Sequence, residues 1–212
     1  MTNISTLFFS TLLLIALSSC GQAPKSTDNG AYIVDQSIKA EVEKKVRSSN
    51  GVTMGSLDFK MFENDSIVAD TYAKGKSIEC MTISSLDGDT ISITGFMGMF
   101  AGFGYQVALF RDTCIVRHFI KSDAEIYKLK KPDSLTFGVS VSCVTYKLIL
   151  TNKPTFKKGD IVEGIIELMS DDYYEVANGN ERKYKMKLTG YFKTEPLASA
   201  QESYQKLINK NK

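Results

Sequence analysis

His118 is the only imidazole in the chain, and it shares strand parity with Cys114, Val116 and Ile120. A Cys–His pair is the chemistry of a thiolate nucleophile and its base, which must stand within hydrogen-bond reach, about 3 Å. Residues i and i+4 of a strand lie roughly 13 Å apart. Cys114 and His118 therefore cannot act on each other directly, and His118 is expected to be a hydrogen-bonded structural residue. Carboxylates come next. Asp87-Gly88-Asp89 offers oxygen donors of the kind a calcium loop uses, without the rest of an EF-hand pattern. Asp171-Asp172 precedes Tyr173-Tyr174. Both pairs sit where Asp commonly serves as a turn former, and a glycosidase would need two acids facing one cleft. The sequence has no G-x-S-x-G elbow, H-E-x-x-H helix or P-loop. Cys80, Cys114 and Cys143 come with no C-x-x-C pair, so no metal and no cofactor is expected. The three cysteines are read either as small buried hydrophobes or as one disulfide and a leftover, with three pairings open.

The most unusual stretch runs from Gly95 to Tyr105 and places four glycines among three Phe, two Met and one Tyr. No charge occurs from Thr94 to Leu109, and the glycine spacing is not that of a phosphate loop. Phe96, Met97, Met99, Phe100, Phe103 and Tyr105 are the candidate binding residues. Two readings compete. The segment could cross the interior, with glycines allowing close packing. Alternatively it is an adaptable apolar surface, because Met and Phe on a Gly-rich backbone repack around varied partners. The partner would be a lipid, an apolar ligand or an envelope protein.

The elements that must position these residues are mostly strands. Leu57, Phe59 and Met61 alternate with polar neighbours, as do Ile91 and Ile93, and Tyr184, Met186 and Leu188. That is the period of strands with one buried and one solvated face, which favours an antiparallel sheet. Asp87-Gly88 and Asn178-Gly179 read as hairpin turns. The apolar parity switches near Cys143-Val144, and a similar slip is read between Ile78/Cys80 and Met81/Ile83. A one-residue slip implies a β-bulge or a strand changing sheets. Ile38, Val42 and Val46 recur at helical spacing and predict a helix over Asp35–Ser49, ended by Asn50-Gly51. Tyr204, Leu207 and Ile208 predict a short C-terminal helix. The expected fold is mainly β: an antiparallel β-sandwich or partly closed barrel of about ten strands, with an N-terminal helix and a short C-terminal helix.

Basic and acidic residues nearly balance, 26 against 24, which disfavours nucleic-acid binding. The N-terminus carries a short apolar run from Leu7 to Leu17 and then Ser18-Ser19-Cys20, followed by polar sequence. The run is too short to span a bilayer and has the form of a secretory signal. With Leu17-Ser18-Ser19-Cys20 at its end, it resembles the lipobox of bacterial lipoproteins. The resemblance covers only this leader. It implies cleavage before Cys20, acylation of that residue and attachment to the membrane through the acyl groups. Gly21 then favours the outer membrane, and the lack of an acidic run over Gln22–Ser26 favours the periplasmic side. The organisation expected is a signal peptide over 1–19, a lipidated cysteine and tether over 20–34, a β domain with its leading helix over 35–197, and a helical tail over 198–212. The function expected is non-catalytic binding or interaction in the cell envelope. An accessory structural subunit of an envelope complex and a carboxylate-based hydrolase are the alternatives.

Overall fold

The computed structural model describes residues 29–49 and 52–197. In chain order the elements are β1 (Asn29–Ala31), β2 (Ile33–Val34), a 3-10 turn (Gln36–Ile38), α1 (Lys39–Lys45), β3 (Arg47–Ser49), β4 (Val52–Glu63) and β5 (Ser66–Asp70). Then come β6 (Ile78–Asp87), β7 (Thr90–Met97), β8 (Gly102–Phe110), β9 (Thr113–Lys121), β10 (Tyr127–Lys128), β11 (Gly138–Leu150), β12 (Val162–Ser170), β13 (Tyr173–Ala177) and β14 (Asn180–Thr194).

These strands form one mainly antiparallel sheet, ordered β10-β13-β14-β12-β11-β9-β8-β7-β6-β4-β3. β4 passes from one neighbour to another along its length. Its residues Thr53–Leu57 pair with β6, and Ser56–Glu63 pair with β14. The hydrogen-bonded path thus returns on itself, and the sheet is partly ring-like without being a barrel. The expected mainly β, antiparallel architecture holds. The strands that sequence reading omits are short: β1, β2, β3, β5 and β10 have five residues or fewer, too few to display a period. Residues 29–34, grouped with the tether in the sequence, thus belong to the sheet.

Inside the curl, alternate residues of facing strands meet in one apolar cluster. It includes Leu57, Ile93, Tyr105, Val107, Val116, Leu148, Ile166 and Leu188. The slip at Cys143 is a true β-bulge, between Cys143 and Thr145 of β11 against β12. The slip read in β6 is not. Its pairing with β4 and β7 is continuous. Cys80 and Thr82 face inward, while Met81 and Ile83 are exposed. A polar inward residue and apolar outward ones defeat a parity argument there.

The leading helix is shorter than its stripe suggests. Asp35 caps the 3-10 turn, its carboxylate accepting from the Ser37 amide at 2.9 Å. Val46 is already extended, and Arg47–Ser49 pair back onto Val52–Met54 as β3. The periodic residues still do what their spacing requires. Val42 is buried against Ile165 and Tyr191, with Ile38 and Val46 alongside. This covers the outer face of β12 and β14, which is why Ile165 and Ile166 are both buried although they point opposite ways. The Asn50-Gly51 stop and the C-terminal helix over 198–212 lie outside the described residues.

Candidate functional site

The Gly95–Tyr105 segment is the end of the β7–β8 hairpin, with Gly95 opposite Tyr105, Phe96 opposite Gly104 and Met97 opposite Phe103. Its two candidate roles divide along its length. Tyr105 is wholly buried. A Cβ at Gly95 would stand 2.2 Å from the Tyr105 ring, and one at Gly190 of β14 would stand 2.4 Å from it. Two strands on opposite sides of the interior therefore use glycine to admit one tyrosine. Burial pushes its phenol well above the usual range, with Thr82 and Cys80 beside the hydroxyl. Met97 and Phe103 pack against the same core, and Phe103 meets Phe59 edge-on at a centroid distance of 4.7 Å. Phe96 faces outward, with the Lys121 ammonium 5.8 Å from its ring centre.

The four residues 98–101 turn the chain. Gly98 has φ of +103°, in the region that favours glycine, and a Cβ there would collide with the Ala101 carbonyl oxygen. A Cβ on Gly102 would collide with the Met97 carbonyl oxygen. These glycines set a tight turn that pushes Met99 and Phe100 outward, each 82% exposed. No other described large hydrophobic residue is as exposed. Of the six candidate residues, Tyr105 is thus core, Met97 and Phe103 are half-buried against it, Phe96 lies on the outer face, and only Met99 and Phe100 form a free apolar tip.

One neighbour of this tip carried no sequence signal. Gly102, Lys121 and Gly138 lie side by side at the end of β8, β9 and β11. Phe137, just before β11, is exposed at that same end, its carbonyl accepting from the Ser122 amide.

The residues weighed for catalysis are engaged otherwise. Cys114 and His118 both face the interior from β9 and are buried. Burial pulls His118 down to about 4, so the ring is neutral, and Nδ1 donates to the Gly104 carbonyl at 2.9 Å. The ring lies 5.5 Å from that of Tyr173, in a second cluster with Tyr127, Tyr184 and Val141. Burial raises the Cys80 thiol to about 12 and Cys114 to about 11, which removes the thiolate a nucleophile needs. No disulfide joins Cys80, Cys114 and Cys143. Asp89 is paired with Arg111 at 2.9 Å, and Asp172 stands between Lys183 and Lys185 at 3.6 and 3.3 Å. Among the described residues no group of three or more His, Cys, Asp or Glu could hold a metal ion, and no helix is long and apolar enough to cross a membrane. No protein-family model matches the chain, and no curated protein or solved structure matches it either.

Proposed function

We propose that this is a lipid-anchored protein of the cell envelope that acts by binding rather than by catalysis, with the β7–β8 tip as its contact surface. The leader, with Leu17-Ser18-Ser19-Cys20, supports the anchor, on the outer membrane and facing the periplasm. The observation that carries the contact surface is the adjacent pair Met99 and Phe100, both solvent-facing on a turn whose stem is locked into the core. Exposed large apolar side chains gathered at one place commonly mark an interaction site. Met and Phe suit this role because one flexes and the other presents a broad apolar face. A stem held by Tyr105 fixes where the turn presents the pair.

A second reading, an accessory subunit docking by a sheet edge, is favoured by β5. Among the described residues this strand pairs only with β4, and it exposes Ile67 and Val68. The hydrolase reading has less support, because Asp89 and Asp172 are each held by basic side chains.

Two experiments test the proposal. Cys20→Ser should release a soluble form from the membrane fraction, and unchanged fractionation would overturn the anchor. A photo-crosslinking residue in place of Met99 should give adducts in intact cells, whereas one in place of Ile67 should not. The reverse pattern would move the contact to the sheet edge.

A further inference from the structure

We propose that the partner of the β7–β8 tip is the bilayer itself: Met99 and Phe100 dip into the same membrane leaflet that holds Cys20. This rests on the lipid-anchor reading above and adds a second, protein-borne contact to it.

The argument begins with where the chain enters the domain. Asn29, the first described residue, pairs with Ile115, and Ala31 pairs with Thr113, so β1 runs antiparallel to β9. β9 itself runs toward the end of the sheet where Lys121 pairs with Gly102 at the base of the tip. β1 therefore runs away from the tip, and the chain joins it from the tip side. Along β9, Ile115 lies about 20 Å short of Lys121 at the rise of a strand. The tip extends beyond Gly102 by a further turn. Residues 20–28 reach at most roughly 30 Å when extended. The span from Asn29 to the tip and the reach of the tether are therefore of similar length. A domain held by Cys20 can bring this end onto the bilayer with the tether near full extension, along the direction from which the chain enters β1.

The chemistry of that end fits a lipid surface. The uncharged stretch Thr94–Leu109 includes the whole tip. Phe137 adds a second exposed aromatic ring at the start of β11. Lys121 stands behind them beside Phe96, followed in the chain by the exposed Asp123 and Glu125, so the charges behind the apolar tip are of both signs. An apolar tip with charged groups one layer behind it matches the order of acyl chains and headgroups in a leaflet.

The chain has no Trp, so a single introduced indole reports one position. The mature Phe100→Trp protein, acylated at Cys20, is reconstituted into vesicles of phosphatidylethanolamine and phosphatidylglycerol, with or without bromine on the acyl chains. Met99→Trp serves as a second reporter of the tip, and Phe110→Trp, at the far end of β8, reports the opposite end. Tip indoles should shift to the blue and lose most of their emission to the brominated lipid, while the Phe110→Trp indole keeps its emission. If the protein floats with the vesicles but both tip indoles stay water-like and unquenched, the tip contact is overturned while the anchor stands, and the surface belongs to a protein partner. If the protein does not float at all, the anchor is overturned and the tip contact with it.

Discussion

The stem and the tip of the β7–β8 hairpin have nearly the same composition and opposite fates. Met97 and Phe103 are half-buried against the core, while Met99 and Phe100, a few residues away, are almost fully exposed. Hydrophobicity does not separate them. What separates them is the backbone geometry set by Gly98 and Gly102, where a side chain would collide with a carbonyl oxygen. Below the turn, Gly95 and Gly190 make space for the ring of Tyr105 and draw the stem inward. Glycine thus acts in two ways within one segment, closing a turn at the tip and opening a cradle at the base.

The comparison breaks most visibly at the cradle. Tyr105→Ala empties the centre of the core and should cost about 4 kcal/mol in urea unfolding, as for other large buried aromatic residues. A loss below about 1 kcal/mol would mean that the ring is not the element the glycines accommodate. Gly95→Ala forces a methyl group into the same ring and should cost up to about 3 kcal/mol. Adding Tyr105→Leu to it should recover part of that loss, because the clashing atoms are gone. If Gly95→Ala is neutral, the cradle account fails.

His118 sharpens the same contrast through pH. Its pKa falls from the ordinary 6.5 to about 4 because burial disfavours the charged ring. The unfolded chain therefore takes up the proton first as pH drops. The stabilising contribution is complete above pH 6.5 and disappears on the way down to 4, about 3 kcal/mol in total. Urea titrations across that range should show a slope that His118→Asn removes. An unchanged slope in the variant would place the titration elsewhere.

The two tails of this comparison were not equally legible in the sequence. The β class followed from alternation in Leu57–Met61 and Tyr184–Leu188, and the bulge at Cys143 followed from a parity switch. His118 is legible as structural, because a lone imidazole sharing the apolar parity of its strand is buried and needs a partner, here the Gly104 carbonyl. β6 misled, because Thr82 turns inward beside the Tyr105 hydroxyl while Met81 and Ile83 face solvent. The stripe locates the helix but overstates its length, because β3 takes Arg47–Ser49 for pairing and local spacing does not show that demand. Within Gly95–Tyr105 the sequence offered a core and a surface as alternatives. It could not divide them, because which residues face out depends on where the turn closes, and that depends on contacts between backbones rather than on residue type.

The smallest expected effect gives the most direct test. The double variant Met99→Ser/Phe100→Ser and the double variant Met97→Ser/Phe103→Ser remove the same residue types from positions a few residues apart. Urea unfolding of the two should differ sharply, with the tip variant within about 0.5 kcal/mol of the parent and the stem variant losing at least about 3 kcal/mol. That result leaves the tip free for contact on an intact scaffold. Equal losses in the two variants would show that Met99 and Phe100 belong to the core as well, and the contact surface proposed for this protein would be wrong.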